Sequence, residues 1–174
     1  MLIVLSGLPG VGKTTIAREL AQLLGAVHIR IDSIELAIRE SGVTVVSIDD
    51  AGYRVGYAVA DDHLRLGRIV IADSVNPLPV TRDSWLAVAA RAGVSLAEVE
   101  LECSDKQEHR RRVEQRLGLI PSLSGPTWDE VVSRDYRAWD REHIVIDTAC
   151  QEVPQIVARL RTALPALSSA PGPQ

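Results

Sequence analysis

The run Gly7-Leu8-Pro9-Gly10-Val11-Gly12-Lys13-Thr14 constrains this chain more than any other feature, because it joins two stretches of different period. Before it, Leu2-Ile3-Val4-Leu5 is continuously apolar, the pattern of a strand buried on both faces. After it, Ile16, Leu20, Leu23 and Leu24 recur at helical spacing, and Gly25 is a natural stop. A buried strand that turns through glycines straight into an amphipathic helix is the opening unit of a layered α/β chain.

The rest of the sequence repeats that alternation. Further strands are expected over Val27 to Ile31, Arg68 to Ala72, Ser95 to Glu102 and His143 to Asp147. Helical patterns lie between them: Ser33 to about Glu40, Asp49 to Gly67, Thr81 to Ala92, Asp105 to Leu117, Trp128 to about Trp139, and Val153 to Leu164. Gly118 to Pro126 is rich in Gly, Pro and Ser and is expected to be a mobile loop. Alternating strands and helices imply a parallel sheet with helices on both faces, which binds ligands at the carboxyl ends of its strands. The 174 residues suit one domain over 1–164, followed by a small, Pro-rich, uncharged tail over 165–174 that is expected to be disordered.

The Gly7–Thr14 run fits G-x-x-x-x-G-K-[ST] at every specified position. Gly7, Gly10 and Gly12 let the backbone wrap closely around phosphate oxygens, with Leu8, Pro9 and Val11 completing the turn. The helix that begins at the end of the loop adds free N–H groups and the positive end of its dipole. Lys13 supplies a point charge near the β- and γ-phosphates. The Thr14 hydroxyl suits Mg²⁺, and Thr15 can reach a further phosphate oxygen. The pattern implies nucleotide binding and leaves the acceptor open.

Three further features lean towards phosphoryl transfer. Asp32 ends the second apolar stretch, where a carboxylate can take the proton of an attacking hydroxyl; a plain helix cap explains it equally. Asp73 ends Ile69-Val70-Ile71-Ala72, where a carboxylate can bind Mg²⁺ directly or through water; an Asx turn is the alternative. Arg112 and Arg116 lie one helical turn apart beside the loop, placed to close over a triphosphate as a lid over about 112–127. The alternative is a solvated basic face, which suits Arg110 and Arg111 better. Tyr53 and Tyr57 can stack on an acceptor or simply pack. The four histidines form no readable motif and are expected at the surface or at strand ends. Cys103 and Cys150 read as buried small residues.

Taken together, Gly7 to Thr15, Asp32, Asp73-Ser74-Val75-Asn76-Pro77, Arg82 and Arg112-x-x-x-Arg116 resemble the small P-loop kinases of the nucleoside-monophosphate-kinase-like branch. Within that branch the chain is similar to the kinase half of polynucleotide kinase and to bacterial zeta-toxin and adenylylsulfate-kinase-like enzymes. The resemblance implies an α/β three-layer fold with a five-stranded parallel sheet of order 2-3-1-4-5 and an Arg-bearing lid. It implies Asp32 as base, Asp73 on metal or acceptor, and Arg82, Arg112 and Arg116 on phosphates, with Lys13 catalytic. Acceptor contacts are expected from Asp32, Arg39, Tyr53, Tyr57, Asp73, Asn76 and Arg82, and metal contacts from Thr14 and Asp73. Polynucleotide kinase carries an arginine shortly after its aspartate, whereas Ser33, Ile34, Glu35 and Leu36 follow here and Arg39 lies two turns on.

The expected activity is transfer of the γ-phosphoryl group of Mg-ATP to a hydroxyl of a small-molecule or nucleotide-like acceptor. A kinase with a phosphate acceptor and a nucleotide-binding switch without an acceptor are the alternatives. A net charge of −4, with only Lys13 and Lys106 as lysines, argues against extended nucleic-acid binding. No apolar run is long enough for a membrane span or shaped like a signal peptide, so a cytoplasmic monomer or homodimer is expected.

Overall fold

The structure, a computed structural model, describes residues 1–42, 50–119 and 125–164, with the side chains of 116–119 excepted. The expected tail over 165–174 lies outside the described residues, as does part of the expected lid. In chain order the elements are β1 (Leu2–Ser6), α1 (Lys13–Leu24), β2 (Val27–Arg30), α2 (Ile31–Glu40), α3 (Ala51–Arg65) and β3 (Val70–Asp73). There follow α4 (Pro79–Ala92), β4 (Leu96–Glu102), α5 (Lys106–Leu119), α6 (Trp128–Val132), β5 (Ile144–Asp147) and α7 (Val153–Ala163).

The five strands form one parallel sheet in the order β2-β3-β1-β4-β5, the order that the family resemblance implied. Register aligns the strand ends that matter. Leu5 and Arg30 both stand opposite Asp73, and Ser6 stands opposite Glu100. The functional side chains therefore emerge along one rim, at the carboxyl ends of β1, β2 and β3.

Helices cover both faces because the strands are apolar on both. On one side Ile3, Leu5 and Val99 pack with Ile16 and Leu20 of α1 and Ile156 and Leu160 of α7. On the other, Leu2, Val4 and Val70 pack with Ala60 and Leu64 of α3 and Trp85 and Val88 of α4. Trp85 is fully buried, and Tyr57 meets its ring edge-on at 4.5 Å. Burying side chains of this size contributes about 1.5–3 kcal/mol each, which holds the layers together.

Two expectations are corrected here. Asp32 does not end a strand. β2 stops at Arg30 and α2 starts at Ile31, whose side chain is drawn into the core, so Asp32 lies in the first helical turn. Nor does it cap that helix, since the cap residue is Arg30 and no side chain bonds there. The second correction is α6, expected to run to about Trp139. Its start is well specified by a capping box between Thr127 and Glu130, yet it ends at Val132. The chain beyond turns to other partners: the Arg137 N–H donates to the Pro77 carbonyl at 2.8 Å rather than to the carbonyl one turn back.

Candidate active site

The phosphate loop lies between β1 and α1, where the motif placed it. Gly7, Gly10 and Gly12 have φ values of 133°, 88° and 98°, which a side chain would strain. A Cβ on Gly10 would also sit 2.5 Å from the Val113 Cγ2 of α5, and one on Gly7 would strike the Leu101 carbonyl. The glycines thus serve both loop conformation and close packing. Lys13 is buried, and its ammonium donates to the carbonyls of Gly7 at 2.7 Å and Leu8 at 3.0 Å. The positive charge is held across the mouth of the loop.

Asp73 faces that charge from the end of β3. Burial alone would push its carboxyl up, but the His28 hydrogen bond, the Lys13 ammonium and the Thr14 hydroxyl outweigh burial and hold it below the ordinary value. His28 Nε2 stands 3.2 Å from Asp73 Oδ2. A charged carboxylate beside a threonine hydroxyl is a hard-oxygen donor pair that fits Mg²⁺, which completes its shell with water and phosphate oxygens. Among the described residues no cluster of three or more His, Cys, Asp or Glu is placed to hold a metal ion.

Asp32 and Glu35 sit one turn apart on α2. Arg30 Nη2 donates to Asp32 Oδ2 at 3.1 Å, and Arg39 Nη2 lies 3.6 Å from Glu35 Oε2. Burial, then repulsion from Asp32, raises the Glu35 carboxyl despite Arg39 and Arg134. Glu35 reaches this position because Gly52 on α3 lacks a side chain, whose Cβ would collide with it.

Several expected acceptor contacts prove to be internal. Arg82 is fully buried and cannot touch a bound phosphate. Its guanidinium donates to the carbonyls of Asn76, Pro77, Arg137 and Ala138, and it lies over the rings of Tyr136 and Trp139. Asn76 is likewise buried. Its amide donates to Ser6 Oγ and accepts from Ser74 Oγ and Trp85 Nε1, and its N–H donates to the Tyr53 hydroxyl. At φ 49° it takes the left-handed turn that asparagine tolerates. Tyr53 and Tyr57 pack in the same layer, with the Tyr57 hydroxyl donating to the Thr81 carbonyl. Arg39 stays largely exposed on α2.

Arg112 does not reach towards the loop's mouth. It donates to Glu108 at 2.7 Å and to both the hydroxyl and the carbonyl of Thr148 at 3.0 Å. The side chain of Arg116 lies outside the described residues. Arg110 and Arg111 form the expected surface pairs with Glu114 and Glu108.

Sequence reasoning missed His109, His28, Thr148 and Glu35. His109 is buried against the loop rather than exposed. Its one sequence signal is spacing: His109 and Val113 lie a turn apart on a helix whose other early positions are charged or polar. Cys150 is exposed rather than buried, and Cys103 is half-buried.

The whole assembly has close relatives in shape. A candidate kinase from Chloroflexus aurantiacus superposes with TM-score 0.76 at 18% identity, covering 94% of this chain and 98% of that one. APS kinase of Mycobacterium tuberculosis, bound to AMPPNP and APS, gives 0.71 at 17% identity, covering 92% and 95%. Chaetomium thermophilum Kti12, bound to ADP-AlF3, gives 0.62 at 22% identity, covering 95% and 100%. At these identities the likeness speaks for the fold, a P-loop kinase-like α/β sheet. A family profile described as "AAA domain" matches residues 2–119, which include the phosphate loop, Asp32, Asp73 and Arg112. The chain therefore belongs to that AAA-domain family.

Proposed function

We propose that this protein is an ATP-dependent phosphotransferase that moves the γ-phosphoryl group of Mg-ATP to a hydroxyl of a small-molecule or nucleotide-like acceptor. The observation that carries this reading is the convergence of Lys13, Thr14 and a buried but charged Asp73 at the phosphate loop. Kinases among the structural neighbours support the same class.

In this reading the loop N–H groups and Lys13 bind the β- and γ-phosphates and offset charge as it develops. Thr14 and Asp73 would hold Mg²⁺, which would supply charge neutralisation on the phosphates. Asp32 accepts the proton of the acceptor hydroxyl as its oxygen bonds to the γ-phosphorus. The bond from that phosphorus to the bridging oxygen breaks, and ADP leaves. Arg116 remains the candidate for phosphate contact from the lid side.

A hydroxyl acceptor is favoured over a phosphate acceptor by one observation. Arg82, the arginine expected to grip an acceptor phosphate, is sealed among carbonyls, while Arg30 and Arg39 are paired with carboxylates. The test is a transfer screen with Mg-ATP against nucleosides, nucleotides, sugars, aminoglycosides and 5′-hydroxyl oligonucleotides. Asp32→Asn should lower transfer to the best hydroxyl acceptor by at least about 100-fold with ATP affinity retained. Lys13→Ala should remove ATP binding. Unchanged turnover in the Asp32 variant removes the base role, and an ATPase signal that no acceptor enhances favours a nucleotide switch.

A further inference from the structure

A phosphate loop binds anions only while its N–H groups converge on one point. Glycines make that arrangement reachable, but they also leave the peptides free to turn over. Each trans peptide is planar, with its C=O and the next N–H pointing in opposite directions. Whatever holds a loop carbonyl outward therefore holds the following N–H inward.

Two side chains from far along the chain take hold of the outer carbonyls. His109 Nε2 lies 2.8 Å from the Pro9 carbonyl. A carbonyl can only accept, so this nitrogen carries the proton. The imidazole is buried, with Trp128 of α6 edge-on to it at 5.1 Å. The Thr148 hydroxyl lies 2.9 Å from the Val11 carbonyl and 3.0 Å from that of Glu102. The Glu102 carbonyl already takes the Thr148 N–H at 2.8 Å, and Arg112 donates to the hydroxyl oxygen. The hydroxyl has one proton to give, and the Val11 carbonyl is the nearer of its two acceptors.

We propose that His109 and Thr148 are positioning residues for nucleotide binding: they hold the Pro9 and Val11 carbonyls outward, which keeps the Gly10 and Gly12 N–H groups turned to the phosphates. This rests on the nucleotide reading of the loop. Val113 presses on the same segment, so the first two turns of α5 form a wall of the phosphate site. Arg112 serves that wall through Thr148 and does not need to leave it for the loop to work.

The experiment is calorimetric titration of the full chain with ADP. His109→Leu fills the space but cannot donate, whereas His109→Gln places an amide N–H near the Nε2 position. The expected result is about tenfold weaker binding for His109→Leu, the fold-change of one lost hydrogen bond, and near-normal affinity for His109→Gln. Thr148→Val should weaken binding in the same direction and serves if the leucine variant does not fold. Unchanged affinity in His109→Leu or Thr148→Val overturns the proposal. Equal losses in His109→Leu and His109→Gln also overturn it, because packing and not the hydrogen bond would then matter. A wild-type chain that binds no ADP overturns the nucleotide reading itself, and this proposal with it.

Discussion

Two carboxylates of this rim are driven in opposite directions by the same kind of surroundings. For Asp73, burial is outweighed by His28, Lys13 and Thr14, and the charge is kept. For Glu35, burial and the Asp32 charge outweigh Arg39 and Arg134, and the proton is held more tightly than in the unfolded chain. The sign of each follows by linkage. The Asp73 contribution to stability is present above its ordinary value of 3.8 and is lost as pH falls through its lowered folded value. The Glu35 charge instead costs stability as pH rises from its ordinary value of 4.5 through its raised one. Glu35→Gln should therefore raise the melting temperature at pH 8 and change it little at pH 4. A lower melting temperature at pH 8 would mean that the exposed Arg39 pair dominates, against its expected size. Asp73 was readable in advance because an apolar strand ending in Asp is a pattern. Glu35 was not, since only Gly52, seventeen residues on, makes room for it.

Among the elements, α4 and the segment after α6 show how tertiary contacts override local propensity. Trp128 to Trp139 carries helical spacing, but a helix continued that far needs the Arg137 N–H for the Ser133 carbonyl. That N–H goes instead to the Pro77 carbonyl, and Arg82 takes the carbonyls of Arg137 and Ala138, fifty-five and fifty-six residues away. Stacking of Tyr136 and Trp139 on the guanidinium completes the capture. Arg82→Ala would leave several buried carbonyls without a donor, at about 1–3 kcal/mol each. It should lower unfolding free energy by at least about 3 kcal/mol in urea. ADP affinity of the folded fraction should change little. A stable variant that loses ADP binding would return Arg82 to the phosphate site. The family resemblance implied a phosphate contact for Arg82, and sequence carries no sign of a partner so distant.

For the molecule as a whole, the parallel order β2-β3-β1-β4-β5 brings the loop, Asp32 and Asp73 to one rim over two separate cores. A ligand bound at that rim should stabilise the entire domain by mass action. Mg-ADP at 100 times its Kd contributes about 2.7 kcal/mol, which for a chain this size corresponds to a melting-temperature rise of roughly 5–10 °C. Lys13→Ala should abolish the rise; a rise that survives in that variant would place the nucleotide elsewhere. The phosphate loop and the strand–helix alternation were legible in the sequence, because each rests on local pattern: residue type, period and spacing within about ten positions. The sheet order came only through the family resemblance, since strand order is set by long-range pairing that no local pattern carries. The status of individual polar side chains was decided only by the tertiary structure. Arg82, Asn76 and Arg112 were drawn to internal partners, and His109 and Thr148 were brought to the loop, since a buried donor or acceptor must be satisfied by whatever group the fold places beside it.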